Sequence, residues 1–383
     1  MNSSYLDYNA TAPLRPEARA ALLAALEAPA NPSSVHRFGR TARGIADLAR
    51  SQVAELVGAD PRRVVFTSGG TEANNLALRL AIEGAAGVKS LVITGIEHDS
   101  VLRPARHSGL PTYEVVAGPD GAVSLAAIEA TLGAAQAAHP GPALVGLMLA
   151  NNETGTLQPV AEAARLAHAH QSLLLCDAVQ AAGKIPVDLS QLDADFLTLS
   201  AHKLGGPTGV GALVTRDDWT PAPILRGGGQ EKGMRAGTEN LPGIAGFGAA
   251  AAAAQFGLYG MKSVLALRDR LQAGLLEACP EAPVYGAPSH GVGGRLPNTL
   301  CIGMPGVPAE TQVMALDLAG VAVSAGSACS SGKVTPSHVL TAMGLPEAAA
   351  REAIRFSLGW ASSPADVDHA IEAWGKLWRR KQK

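Results

Sequence analysis

The lysine at position 203 lies in a setting suited to covalent chemistry. It follows Ser200 and His202 and precedes a Gly-Gly-Pro turn, while upstream an apolar, strand-like run ends at Asp177, with Gln180 three residues later. An acid that can hold the proton of a pyridinium ring and a lysine that can form an imine are what a pyridoxal phosphate (PLP) enzyme needs. The two segments therefore predict PLP chemistry, although Asp177 alone would also suit a turn and Lys203 alone a surface position.

Cys329 is a second candidate nucleophile. It lies in the stretch 324–332, in which almost every residue is Ser, Ala or Gly. Such residues supply little packing area, so we expect a mobile, exposed loop, on which a thiol can act as a nucleophile if its thiolate is favoured. The alternative is a buried structural thiol, which we expect for the other three cysteines: Cys176, Cys279 and Cys301.

Two further side chains are candidates for the same site. His98 follows an apolar strand-like run, where it could stack on a flat cofactor or be an ordinary core histidine. Arg355 alternates with apolar residues as on a strand, and a guanidinium that faces inward there would bind a carboxylate through two hydrogen bonds. An arginine on the wet face of the strand fits the same pattern equally well.

A possible anion site follows another apolar run at Gly69, Gly70 and Thr71. Free backbone N–H groups at the start of a helix, together with a hydroxyl, can bind a phosphate. The spacing matches neither the dinucleotide fingerprint nor the triphosphate loop. A plain helix cap explains the three residues about as well. The glycine-rich run 226–238, which is too polar for a core, suits a surface loop, an anion site or a subunit contact.

The elements that must position these residues alternate between apolar runs and helical patterns. This alternation predicts an α/β fold whose mostly parallel sheet is covered on both faces. Ligands bind beyond the carboxyl ends of the strands in such sheets. The polar residues at those ends should therefore surround one crevice: Gly70, Thr71, His98, Asn152, Asp177, Gln180, Ser200, His202 and Lys203.

The pattern changes after about residue 255. A long amphipathic helix over 262–278, shorter strands and a terminal helix near 364–380 predict a smaller second domain. The uncharged run 241–261 is long enough to span a membrane, but its Ala and Gly content and its internal Pro242 and Gln255 favour a buried helix.

Composition narrows the class of protein. The chain has 383 residues, is 47% hydrophobic and carries a net charge of −2, so a large core is expected and nucleic acid is not an expected partner. The four cysteines form no CxxC pair and no metal-ligand spacing, and the first eight residues do not form a secretory signal. Reduced thiols and a cytoplasmic location are therefore predicted, with no membrane association.

Together these residues resemble the cysteine desulfurases of the NifS/IscS type, within the class-V aminotransferases and the fold-type I PLP enzymes. The matching motifs extend over nearly the whole chain: residues 5–11, 67–75, 97–98, 151–155, 177–180, 200–203, 235–240, 327–329 and 354–359. The resemblance implies a seven-stranded, mostly parallel sheet in a large PLP-binding domain over 14–256. It also implies a smaller α+β domain, formed by 1–13 and 257–383, that carries Cys329.

The resemblance also implies a role for each candidate. Lys203 binds PLP covalently and moves the substrate α-proton, Cys329 attacks the substrate sulfur, and His98 stacks on the cofactor ring. Asp177 pairs with the pyridine nitrogen, Asn152 and Gln180 with the ring hydroxyl, and Arg355 with the substrate carboxylate beside Asn152. The phosphate is bound by Gly70, Thr71, Ser200 and His202, and by Thr238 of a second subunit, which implies a homodimer.

The implied reaction converts L-cysteine to L-alanine and leaves a persulfide on Cys329, whose sulfur passes to an acceptor protein of iron–sulfur cluster assembly or of tRNA or cofactor thiolation. Two other functions stay open at this point. One is a related PLP lyase or aminotransferase, including a selenocysteine lyase. The other is a non-catalytic sulfur-relay scaffold.

Overall fold

The computed structural model describes residues 3–27, 31–84, 86–286, 294–326 and 336–382. The strands are β1 (Ser4–Tyr5), β2 (Val64–Thr67), β3 (Ser90–Thr94), β4 (Thr112–Val115), β5 (Ala143–Gly146), β6 (Leu173–Asp177), β7 (Phe196–Ser200), β8 (Gly211–Thr215), β9 (Val284–Tyr285), β10 (Thr299–Gly303), β11 (Val321–Ala322), β12 (Ser324–Ala325) and β13 (Ala353–Ser357). The α-helices are α1 (Pro16–Leu26), α2 (Arg37–Leu56), α3 (Gly70–Glu83), α4 (Asp99–Arg106), α5 (Leu125–Ala138), α6 (Val160–Ala169), α7 (Leu189–Leu192), α8 (Leu241–Gly257), α9 (Met261–Ala278), α10 (Ala309–Leu318), α11 (His338–Ala342), α12 (Glu347–Arg351) and α13 (Pro364–Lys381).

The large sheet has seven strands in the order β2-β8-β7-β6-β5-β3-β4. All neighbours run parallel except β8, which is antiparallel to both β2 and β7. Because successive side chains of a strand point to opposite faces, Leu174 and Leu197 pack into one hydrophobic layer and Leu175 and Phe196 into the other. The predicted parallel sheet with helices on both faces is confirmed.

A smaller sheet has the order β12-β13-β10-β9 and its own core. That core is formed mainly by this sheet with α9, α10 and α13, and it includes the fully buried Trp374 and, from the N-terminal segment, Leu6. The segment after the cysteine stretch behaves differently, since Val339 and Leu340 of α11 pack into the core of the large sheet. The predicted second α+β unit is present, and the exact residue boundaries stay a prediction.

The apolar run near residue 250 forms a buried helix, as predicted. Among the described residues, 241–278 is the one stretch long and apolar enough to cross a membrane, and 56% of its most apolar window is buried inside the protein. It consists of α8 and α9, which are separated by a 3-10 turn at Leu258–Gly260. Helix α8 packs against α1 and α2, where Phe247 and Ala250 are fully buried.

Candidate active site

Asp177, Ser200 and Lys203, three of the predicted site residues, lie together at one edge of the large sheet. Strand β7 ends at Ser200 and leads directly into a 3-10 turn, Ala201–Lys203, while β6 ends at Asp177. The N-terminal segment runs beside this turn, because the Ala12 N–H donates to the His202 carbonyl. The Nζ atom of Lys203 donates to the carbonyl oxygens of Asn9 at 2.7 Å and Ala10 at 2.8 Å.

Asp177 is a buried carboxylate held by neutral groups. Its Oδ2 accepts from Asn74 Nδ2 at 2.9 Å, and its Oδ1 accepts from the Val179 N–H at 3.0 Å. Asn74 is fixed in turn by Thr198, whose Oγ1 donates to Asn74 Oδ1 at 2.7 Å. No cationic side chain of the described residues forms an ion pair with Asp177. A buried anion without a cationic partner is costly, so this carboxylate is suited to a protonated ligand group.

His98 is the half-buried residue that caps the start of α4, in the segment that follows β3. Its Nδ1 accepts from the Ser100 N–H at 3.1 Å and contacts Ser100 Oγ at 2.8 Å. Burial lowers the pKa of His98, and the nearby charge of Asp177 opposes that effect. The ring is therefore both a helix cap and a neutral, flat surface beside Asp177 and Lys203.

The residues predicted to bind a phosphate lie at the start of α3 and after β7. Gly70 opens the 14-residue helix α3, and a Cβ at this position would lie 3.0 Å from Val179 Cγ2 and 3.4 Å from Ser200 Cβ. Burial and the charge of Lys203 lower the pKa of His202 to about 4. His202 is thus neutral at physiological pH and offers an N–H donor. Thr71, which follows Gly70 in the chain, is exposed.

Asn152 and Arg355 form a second group of contacts in the site. Arg355 is buried and faces inward: its Nη1 donates to the Asn152 carbonyl at 2.9 Å, and its Nη2 forms an ion pair with Asp7 Oδ1 at 2.7 Å. Each of these two side chains has one buried atom without a hydrogen-bond partner among the described residues, Asn152 Oδ1 and Arg355 Nε. Because buried polar atoms are nearly always paired, both atoms indicate a ligand position.

The structure tests the cysteine predictions in part. Cys176, Cys279 and Cys301 are free and buried, and burial raises the pKa of each thiol, that of Cys301 to about 12. They are structural thiols, as predicted. Cys329 lies outside the described residues.

The longer segment 324–337, called the Cys329 stretch from here on, is held at its two ends, Ser324 and Ser337, beside Arg355 and Asn152. On one side, Ser324 Oγ donates to Asp7 Oδ2 at 2.8 Å, and Asp7 is the ion-pair partner of Arg355. On the other side, Ser337 Oγ donates to Glu153 Oε2 at 2.5 Å. Both ends of the stretch are therefore attached to immediate neighbours of the two side chains with unpaired atoms.

Thr238 is exposed and makes no hydrogen bond with the described residues. The structure does not connect it to the site of its own chain, and its contact with a second subunit stays a prediction. The run that carries it is not purely a surface loop. Glu231 is buried, forms an ion pair with Arg50 at 2.7 Å and accepts from the Phe66 N–H at 2.9 Å.

Comparisons with known proteins identify the family of the chain. Residues 4–369 match the sequence model of the family described as aminotransferase class-V. The chain belongs to the class-V aminotransferase family. It is 45% identical over 378 residues to a cysteine desulfurase of Cereibacter sphaeroides, with 97% of this chain and 95% of the relative covered.

Two solved structures are similar over almost their whole length. The NifS-like protein from Rickettsia africae has a TM-score of 0.87 and 32% identity, with 99% of this chain and 100% of that chain covered. SspA in complex with cysteine has a TM-score of 0.75 and 30% identity, with 93% and 99% covered. The chain thus has the fold of the fold-type I PLP enzymes.

The cofactor of the family is PLP, and the residues present in this chain fit it. Asp177 supplies a buried acceptor without a cation for the pyridine N–H. The unpaired, buried Oδ1 atom of Asn152 supplies an acceptor for the ring hydroxyl. The start of α3 and neutral His202 supply donors for a phosphate. No cluster of three or more metal-ligating side chains is found within the described ranges.

Among the buried residues of the site that the sequence analysis did not single out are Asn9, Glu97 and Lys184. Asn9 and Glu97 lie in motifs that carried the resemblance, but nothing in their spacing assigned them a role. Lys184 had a local signal, since it lies four residues after Gln180 in the same segment. The Lys184 Nζ donates to Gln180 Oε1 at 2.6 Å.

Glu97 makes the stability of the protein depend on pH. Burial raises the pKa of Glu97 from 4.5 to about 8, although its Oε1 accepts from Thr94 Oγ1 and the Met148 N–H, both at 2.7 Å. The folded state therefore binds a proton that the unfolded state releases near pH 4.5. The stabilising contribution is complete below about pH 4.5 and is lost as the pH rises to about 8, at about 1.4 kcal/mol per pH unit.

We expect Glu97→Gln, which mimics the protonated carboxyl, to remove this slope from the pH dependence of the unfolding free energy. The measurement is urea unfolding of the wild type and the variant at about pH 5.5, 6.5 and 7.5. The unfolding free energies of the two proteins should diverge as the pH rises. Parallel curves would contradict the prediction.

Proposed function

We propose that this chain is a PLP-dependent cysteine desulfurase that converts L-cysteine to L-alanine and forms a persulfide on Cys329. The observation that carries the proposal is the attachment of both ends of the Cys329 stretch next to Arg355 and Asn152. Amino-group transfer needs no nucleophilic cysteine, whereas sulfur transfer does. The desulfurase name of the relative from Cereibacter sphaeroides and the cysteine complex of SspA support the same reaction.

The residues of this chain divide the work as follows. Asp177 holds a proton on the pyridine nitrogen of PLP, and Asn152 and Gln180 bind the ring hydroxyl. Gly70, Thr71, Ser200 and His202 bind the phosphate. PLP, when bound, supplies an electron sink that acidifies the substrate α-carbon. Arg355 holds the substrate carboxylate, and Lys203 Nζ removes the α-proton and delivers it again.

The sulfur transfer is balanced without an external oxidant. The Cys329 thiolate attacks the substrate sulfur, so a new S–S bond forms while the bond between the substrate Cβ and sulfur breaks. The electron pair of the broken bond stays on the carbon side, and a proton completes the methyl group of alanine. The persulfide on Cys329 then holds the sulfur for a thiol of an acceptor protein.

Arg355 should control substrate affinity more than turnover. We expect Arg355→Ala to raise the KM for L-cysteine by roughly 100-fold, because two charge-assisted hydrogen bonds to the carboxylate are lost. Steady-state kinetics of alanine formation would measure the effect. Asp7→Asn is the matched control, since it breaks the Arg355 ion pair but keeps the guanidinium. A KM that is equal in Arg355→Ala and the wild type would contradict the assigned contact.

Turnover of different substrates by the purified holoenzyme tests the activity. We expect L-cysteine with a reductant to yield alanine. Alanine formation from L-selenocysteine alone would favour the selenocysteine lyase, and transfer of an amino group to a keto acid would favour an aminotransferase. Failure to take up PLP would favour a sulfur-relay scaffold.

We also propose that the enzyme acts as a cytoplasmic homodimer and passes its sulfur to an acceptor protein. The exposed Thr238 supports a contact donated by a second subunit. The three free cysteines of the described residues support a reducing compartment.

A further inference from the structure

Lys184 is a second lysine enclosed within the site, and the proposed chemistry gives it no task. Its exposed fraction is 7%. Its Nζ atom donates to Gln180 Oε1 at 2.6 Å and to Asn9 Oδ1 at 2.9 Å. Both acceptors are neutral amide oxygens.

The position is electrostatically unfavourable for a lysine. Burial lowers the pKa of Lys184 well below its usual value, and the positive charges of Lys203 and Arg355 lower it further. No carboxylate of the described residues pairs with it. An apolar side chain at such a position generally costs less free energy than an unpaired ammonium group, so packing alone does not account for a lysine here.

The two acceptors of Lys184 are the residues that connect the site. The carbonyl oxygen of Asn9 accepts from both Lys203 Nζ, at 2.7 Å, and Gln180 Nε2, at 3.0 Å. The Asn9 side chain donates through Nδ2 to the Asn152 carbonyl at 3.2 Å. Lys184 therefore contacts Gln180 directly, and Asn9 alone separates it from Lys203 and from Asn152.

Two contacts on opposite sides fix which way the Gln180 amide points. The Asn9 carbonyl can only accept, so Nε2 is the amide atom that faces it, and Oε1 faces Lys184 and accepts from its Nζ. An amide nitrogen carries two N–H groups, and Asn9 takes one of them. The second N–H is left to donate to an oxygen in the crevice.

We propose that Lys184 is a positioning residue that holds Gln180 and Asn9 in one arrangement, so that Gln180 presents an N–H donor to the ring oxygen of PLP. This inference rests on the proposed PLP chemistry and deepens it. Lys184 acts through Gln180 and does not itself touch the reacting atoms. Its removal should therefore weaken PLP binding only while Gln180 is present.

A double-mutant cycle tests this dependence. PLP is titrated into the apo forms of the wild type, Lys184→Met, Gln180→Ala and the double variant, and the dissociation constant and the visible absorption maximum are measured. We expect Lys184→Met to weaken PLP binding about tenfold in the wild-type background, the effect of one buried hydrogen bond, and to shift the absorption maximum. In the Gln180→Ala background the same change should have almost no effect.

Two controls separate positioning from general destabilisation. Gln312→Ala removes a buried amide that accepts from Trp374 Nε1 in the core of the small sheet, and it should lower the melting temperature without changing PLP binding. Lys184→Gln keeps an N–H donor and should retain more affinity than Lys184→Met. If Lys184→Met does not fold, Lys184→Leu, which also lacks a donor, replaces it in the cycle.

Equal weakening of PLP binding in both backgrounds, or unchanged affinity in Lys184→Met, would overturn the inference. Failure of the wild type to bind PLP would instead overturn the proposed function. The two failures are thus distinguishable.

Discussion

The Lys203→Ala variant should lose the covalent attachment of PLP and almost all turnover. Lys203 ends the 3-10 turn that follows β7, and its amine donates to the carbonyl groups of Asn9 and Ala10 at the edge of the sheet. An alanine side chain can neither bond to the cofactor nor move the substrate α-proton. We expect alanine formation from L-cysteine to fall on the order of 10³-fold or more.

Two measurements are combined: the rate of alanine formation and the mass of the protein after borohydride reduction. Reduction of the holoenzyme with borohydride should leave PLP attached to the wild type and absent from Lys203→Ala. Lys376→Ala is the control, because this exposed lysine of α13 has Glu372, four residues earlier, as its one ion-pair partner among the described residues. A borohydride-stable PLP adduct in the Lys203→Ala protein would show that another lysine binds the cofactor.

The Cys329→Ala variant should separate PLP chemistry from sulfur transfer. We expect it to bind PLP like the wild type and to exchange the α-proton of L-cysteine with solvent, because Lys203 and Asp177 are unchanged. Sulfide release should fall about 10³-fold or more, the scale of losing a catalytic nucleophile. The buried thiols of Cys176, Cys279 and Cys301 cannot replace it, since burial raises the pKa of each.

Sulfide assays and deuterium incorporation into recovered cysteine measure the two steps independently. Cys279→Ala, which changes a buried cysteine in the core of the small sheet, should keep both. Sulfide release by Cys329→Ala at the wild-type rate would contradict the persulfide role. Loss of α-proton exchange would show that Cys329 is needed before sulfur transfer.

Local sequence predicted the part of the site that lies at strand ends. Asp177 and Lys203 each follow an apolar run, and the carboxyl ends of neighbouring parallel strands meet at one edge of a sheet. The strand, turn and helix order therefore indicated both the fold and the crevice. The chemistry of each residue type then indicated PLP without any knowledge of long-range contacts.

The rest of the site depends on contacts between residues far apart in the chain. Asn9 is separated from Lys203 by 194 positions, and Arg355 from Asp7 by 348. Periodicity carries no information about such pairs. For the same reason, the sequence did not decide whether Arg355 faces inward or outward. It also gave no sign that Glu231, in a polar glycine-rich run, forms a buried ion pair.

A single turnover of the holoenzyme with L-cysteine in the absence of a reductant tests the persulfide chemistry most directly. We expect one alanine per PLP-loaded site and an added sulfur atom on the peptide that contains Cys329, as measured by mass spectrometry. Alanine without a persulfide on that peptide, or a persulfide on another cysteine, would contradict the assigned nucleophile. Pyruvate in place of alanine would contradict the desulfurase reaction itself.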